Sequence, residues 1–73
     1  MSLGVDQREQ VEEEVLRCLR ELEKALPIEV AWWRLKNGLT PLIAWGAMSW
    51  LMTKMEAKGK IVFEGKGYEV MSE

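Results

Sequence analysis

The chain of 73 residues has no histidine, one cysteine (Cys18), one aspartate (Asp6) and two prolines, Pro27 and Pro41. A single cysteine cannot close an intrachain disulfide, and without histidine or a second thiol there is no zinc-site spacing. The same gaps remove most enzyme chemistry. No nucleophile stands beside a base, and there is no glycine-rich phosphate loop. The glycines at 59, 65 and 67 fall instead where a helix stop and a tight turn are expected. The expectation is therefore a non-enzyme, with no catalytic residue, no cofactor and no metal.

Long apolar runs are missing too. The uncharged stretch 37–53 has 17 residues and includes Asn, Gly, Thr, Pro and Ser. That is short of the ~20 apolar residues that cross a bilayer, and a mostly buried helix is the better reading. The acidic, amphipathic N-terminal segment does not have the form of a signal peptide. With a lone thiol, this leads to the expectation of a cytoplasmic domain that meets no membrane. A chain of this length buries only ~60% of its unfolded surface, and such a core rarely yields more than ~3–5 kcal/mol. Packing must hold it, with dimerisation as a natural aid.

What is present is segregated charge. The formal balance is −2, yet residues 1–26 carry four basic and seven acidic side chains. Residues 27–66 carry Arg34, Lys36, Lys54, Lys58, Lys60 and Lys66 against Glu29, Glu56 and Glu64. Local field outweighs net charge when a protein meets a polyanion. A solvated surface of mixed sign is the plainer alternative.

The periodicity predicts a first helix from Asp6, as N-cap with Glu9 three residues on, to a stop at Pro27. Val11, Val15, Cys18, Leu19, Leu22 and Leu26 make its apolar stripe. Cys18 lies on that stripe, so it is expected to pack rather than react. Ile28-Glu29-Val30 could then form a short strand. A second helix, Ala31–Lys36, would stop at the left-handed pair Asn37-Gly38, with Ile28, Trp32 and Leu35 on the core side and Trp33 pointing elsewhere. Thr40-Pro41 reads as the N-cap and first position of a third helix running to Lys58. Ala44, Met48, Leu51, Met52 and Met55 fall on its core side; Leu42, Gly46, Ser49, Thr53 and Glu56 fall opposite. After Gly59, Lys60–Met71 read as a hairpin with a type II′ loop at Gly65-Lys66. Phe63 would face Tyr68, and Ile61 would face Val70, on the side that closes the core. Residues 1–5 are expected to be an unstructured N-terminus, 6–71 one domain and 72–73 a tail.

The run Ala47-Met-Ser-Trp-Leu-Met-Thr-Lys54, then Gly59-Lys-Ile-Val-Phe63 and Gly67-Tyr-Glu-Val70, resembles the winged helix-turn-helix superfamily. The likeness covers residues 8–71. The run is also similar to that of small stand-alone winged-helix proteins of prokaryotes, of unknown function. The resemblance implies an α+β fold of three helices with a C-terminal β-hairpin wing. It also implies duplex DNA as the default partner, and a role in transcription regulation. In that family the solvent side of the third helix enters the major groove. Ser49 and Thr53 are the polar groups placed for groove contact; Arg34, Lys36, Lys54, Lys58, Lys60 and Lys66 would meet phosphates. The departure is that residues 41–53 contain none of the Arg, Lys, Asn or Gln that read base edges, so modest sequence selectivity is expected.

The four tryptophans support a second class. Trp33, Trp45 and Trp50, with Leu42 and Ile43, would make a Trp-rich face for a homodimer or another protein, since tryptophan is enriched at interface hot spots. Equally, a small domain can spend its tryptophans on its core.

Overall fold

The computed structural model describes residues 5–71. They form α1 (Val5–Leu22), α2 (Pro27–Lys36), α3 (Trp45–Ala57), β1 (Ile61–Glu64) and β2 (Gly67–Val70). The chain is thus α+β, with three helices followed by a two-stranded antiparallel hairpin, an order compatible with a winged-helix layout. Val5, assigned above to an unstructured terminus, opens α1; the expected tail at 72–73 lies outside the described residues.

In α1, Val11, Val15, Cys18 and Leu19 are buried as their spacing predicts. Asp6 is in the first turn rather than at the N-cap, where its charge still complements the helix dipole. The helix ends at Leu22, not at Pro27. Glu23 takes a left-handed backbone (φ 71°), which swings the chain aside and leaves Leu22 and Leu26 exposed.

Pro27 consequently starts a helix instead of stopping one. At the first helical position its missing N–H is no loss and its fixed φ is already helical. Glu29 completes the start by accepting the Leu26 backbone N–H at 2.8 Å. Ile28–Val30, expected as a strand, are the first turn of α2. The extended link lies earlier, at Ala25, which pairs antiparallel with Tyr68 through N–H···O contacts of 3.1 and 2.9 Å. This earlier start changes which face of α2 is inside. Val30, Trp33 and Arg34, spaced three and four apart, are buried, while Ile28, Trp32 and Leu35 are exposed. The expected core face is the outer one. At the helix end only Gly38 is left-handed; Asn37 is not, and its side-chain amide donates to the Trp33 carbonyl at 2.7 Å.

The third helix also starts later than expected. Ala44 is its N-cap, and Thr40-Pro41 belong to the connection. Ala44, placed in the core by periodicity, is exposed, whereas Met48, Leu51, Met52 and Met55 are buried as predicted. The helix closes with Gly59 in the left-handed region, its N–H on Glu56 O and the Lys60 N–H on Met55 O, a Schellman stop.

The hairpin has the register read from sequence, Ile61 opposite Val70 and Phe63 opposite Tyr68. Gly65 has positive φ and Lys66 does not, as a type II′ turn requires. Ile61 is buried, and Tyr68 and Val70 pack on the core. Phe63 is not closed over; it remains half exposed, edge-on to Tyr68 at 5.1 Å.

Gly67 marks where the hairpin meets the α1–α2 link. A Cβ there would lie 2.9 Å from the Ala25 carbonyl carbon, in backbone that cannot swing away. Gly67→Ala is expected to lose about 1–3 kcal/mol in urea unfolding, the usual cost of overpacking. Gly46→Ala, on α3 with open space around it, should gain up to about 1 kcal/mol from helix propensity. A Gly67→Ala protein as stable as the parent would mean that the Ala25–Tyr68 pairing is not closed.

Candidate functional site

The cations proposed for phosphate contact divide into two groups. Arg34 is 2% exposed. Its Nε donates to Glu14 Oε1 at 2.9 Å and its Nη1 to the Pro41 carbonyl at 2.8 Å. Its Nη2 also lies 2.8 Å from Glu14 Oε1, close enough for charge attraction but outside hydrogen-bonding alignment. The assignment of Arg34 to a polyanion is corrected: a guanidinium sealed between a carboxylate and a carbonyl has no face left to offer.

Lys58 and Lys60 share one acceptor. Their ammonium groups lie 3.2 and 2.8 Å from the two oxygens of Glu12, which is buried on α1. Burial pushes the Glu12 carboxyl up, but the hydrogen bonds from Lys60 and Lys58, aided by their charges, outweigh it and hold the group below its ordinary value. The hydrogen bond to Glu12 correspondingly raises Lys60. Both lysines remain partly exposed, yet much of their field is directed inward. Lys54 lies 5.4 Å from the Trp50 ring centroid, and Arg8 6.0 Å from it. Among the described residues no carboxylate pairs with Lys36, at the end of α2, or with Lys66, at the hairpin tip. Thr53 donates its hydroxyl to the Ser49 carbonyl at 2.9 Å, and Ser49 is half-buried.

Most of the residues proposed for a partner face are outside. Leu42 is 73% exposed, Trp45 59% and Trp50 54%, and Ile43 is half-buried against the core. Trp33 is the exception. It is buried, its indole N–H donates to Glu21 at 3.0 Å, and the Arg17 guanidinium lies 5.3 Å from its ring.

Leu42 and Trp45, with half-buried Ile43, join a cleft of about 460 Å³ between α2 and the start of α3. Ile28, Ala31, Trp32 and Leu35 line it from α2; Leu42, Ile43, Ala44 and Trp45 line it from the other side, with neutralised Arg34 between them. Trp50 is not part of it and lies with Arg8, Lys54 and Lys58 instead. Ile28, Trp32 and Leu35 are therefore site residues that the sequence reading put in the core. The signal that would have exposed them was Pro27 with Glu29, which starts α2 four residues earlier than expected.

Cys18 is fully buried, and burial, with the charges of Glu21 and Glu29, pushes its thiol up to about 12. It is a packing residue, as its position on the stripe predicts. No helix among the described residues is long and apolar enough to cross a membrane. Compared with models of known protein families, with curated proteins and with solved structures, the chain matches none.

Two stability predictions follow from these ion pairs. Glu14→Gln leaves a buried guanidinium without its counter-charge, and urea unfolding should show a loss of about 3–5 kcal/mol. Because Glu12 ionises more readily folded than unfolded, its pairs stabilise the fold above the ordinary carboxylate range. That contribution fades as pH falls through the range. Glu12→Gln should thus lower Tm at pH 7 and flatten the acid-side decline in Tm; an unchanged decline would show that Glu12 does not titrate with folding.

Proposed function

We propose that this chain is a winged-helix domain used as a protein-interaction module, with the apolar cleft between α2 and the start of α3 as its contact surface. The observation that carries this reading is the clustering there of Trp32, Leu35, Leu42 and Trp45, each at least half exposed. Large exposed apolar patches on small domains mark partner sites, and tryptophan is the residue that most often anchors them.

The same surface argues against the family's default partner. A winged helix presents the solvent side of its third helix to the duplex. In this chain the start of that helix offers Trp45 and Gly46, and the connection before it Leu42, which would displace water from phosphates and bases without replacing its hydrogen bonds. Arg34 is committed to Glu14, and Lys58 and Lys60 to Glu12. A second reading, weakly selective duplex binding in the service of transcription regulation, draws support from Lys36, Lys54 and Lys66, which pair with no carboxylate among the described residues.

Two titrations separate the readings. The native chain should enhance bis-ANS fluorescence, and Trp32→Arg should remove most of that enhancement with no change in helix content by circular dichroism. A labelled random duplex should show no saturable anisotropy change at physiological salt. Duplex binding that falls steeply with salt and disappears in Lys54→Glu/Lys66→Glu would replace the first reading with the second, since counterion release sets that slope.

A further inference from the structure

We infer that the occupant of the cleft is a second copy of this chain, paired about a two-fold axis. The inference rests on reading the cleft as a contact surface, and area, charge and shape argue for this occupant.

An indole presents ~150–250 Å². Trp32 and Trp45 are each 59% exposed, and Ile28, Leu35 and Leu42 are exposed beside them, so the apolar surface left in water is on the order of 500 Å². A standard interface buries ~800 Å² per partner, and in homodimers ~65% of it is apolar, which is again ~500 Å². One face of this chain therefore supplies what one side of a stable dimer needs.

The charge pattern selects the partner. In a two-fold contact the same patch meets itself, so any uncompensated charge near the axis faces its own kind. Among the described residues Arg34 is the sole formally charged one lining the cleft, and Glu14 neutralises it. Charged residues are abundant in the chain as a whole, 22 of 73, so a neutral face of this extent is a local exception. It offers nothing to steer an acidic or basic partner, but it meets the one electrostatic condition for self-pairing. Shape is compatible: the face carries a 460 Å³ recess, and the bulky side chains that line it, Trp32, Leu42 and Trp45, are each more than half exposed and available to a facing copy.

Sedimentation equilibrium of the native chain, from about 5 to 500 μM, tests this. The expected mass rises with concentration to a plateau at twice the 8.4 kDa of one chain. Leu42→Asp, at a position 73% exposed, should keep the helix content and weaken association by about 100-fold, because the substitution enters a two-fold contact twice. Lys66→Glu, at the hairpin tip, should leave association unchanged. A one-chain mass throughout overturns the inference, as does a mass that grows past two chains or a dimer indifferent to Leu42→Asp. A monomer whose bis-ANS signal is still lost in Trp32→Arg would reject self-pairing alone; a monomer that binds no dye would reject the cleft as a contact surface as well.

Discussion

Arg34 joins three parts of the chain through one side chain: its own helix α2, Glu14 on α1, and the carbonyl of Pro41 in the α2–α3 connection. Taking a guanidinium out of water is costly unless its hydrogen bonds and charge are both answered. This one is nearly sealed, with Nε and Nη1 hydrogen-bonded and Nη2 answered by the charge of Glu14 alone, so the three segments are held to that geometry. That constraint orients α2. Once Arg34 and its neighbours Val30 and Trp33 are inside, helical geometry turns Ile28, Trp32 and Leu35 outward. Pro41, anchored by the same side chain, carries Leu42 and Ile43 to the opposite wall. The apolar cleft is thus the outer consequence of an inner ion pair.

Helix α1 acts as the counter-charge for the rest of the fold. Glu14 receives Arg34, Glu12 receives Lys58 and Lys60, and Glu21 receives the Trp33 indole N–H. The segregation of acidic residues before position 27 and basic residues after it has an internal purpose, since the two halves face each other across the core. A run of cations read in isolation suggests a polyanion outside the molecule; here half of them find carboxylates within it.

Local signals in the sequence are decisive where they stand alone and ambiguous where two compete. The hairpin register came through because Gly65 and Gly67 fix the turn and the alternation of Ile61, Phe63, Tyr68 and Val70 leaves one pairing. The α1 stripe holds from Val11 to Leu19, and Met48, Met52 and Met55 hold the inner face of α3, because their periodicity is unbroken there; Leu22 and Leu26 fall outside because the helix ends at Leu22. The second helix did not, because Pro27 serves equally as a stop for one helix and a start for the next. Adjacent tryptophans gave no help, since a rotation of one residue exchanges Trp32 for Trp33. A buried arginine is the opposite of what hydrophobic patterning assumes, so the residue that sets the face looks, in sequence, like one more surface cation. Of the candidate site, Leu42, Ile43, Trp45 and Trp50 were recognisable as a contact class from their type alone; where they meet α2 was not.

The pairing of Ala25 with Tyr68 joins positions 43 residues apart, and the Glu12 contacts to Lys58 and Lys60 span 46 and 48. Closing loops of that length costs chain entropy that helices and a tight hairpin do not incur. A two-stranded hairpin alone is marginal in water. The ribbon therefore draws its durability from distant parts of the chain: its stability in the native molecule depends on Ala25 and Glu12 being held in place.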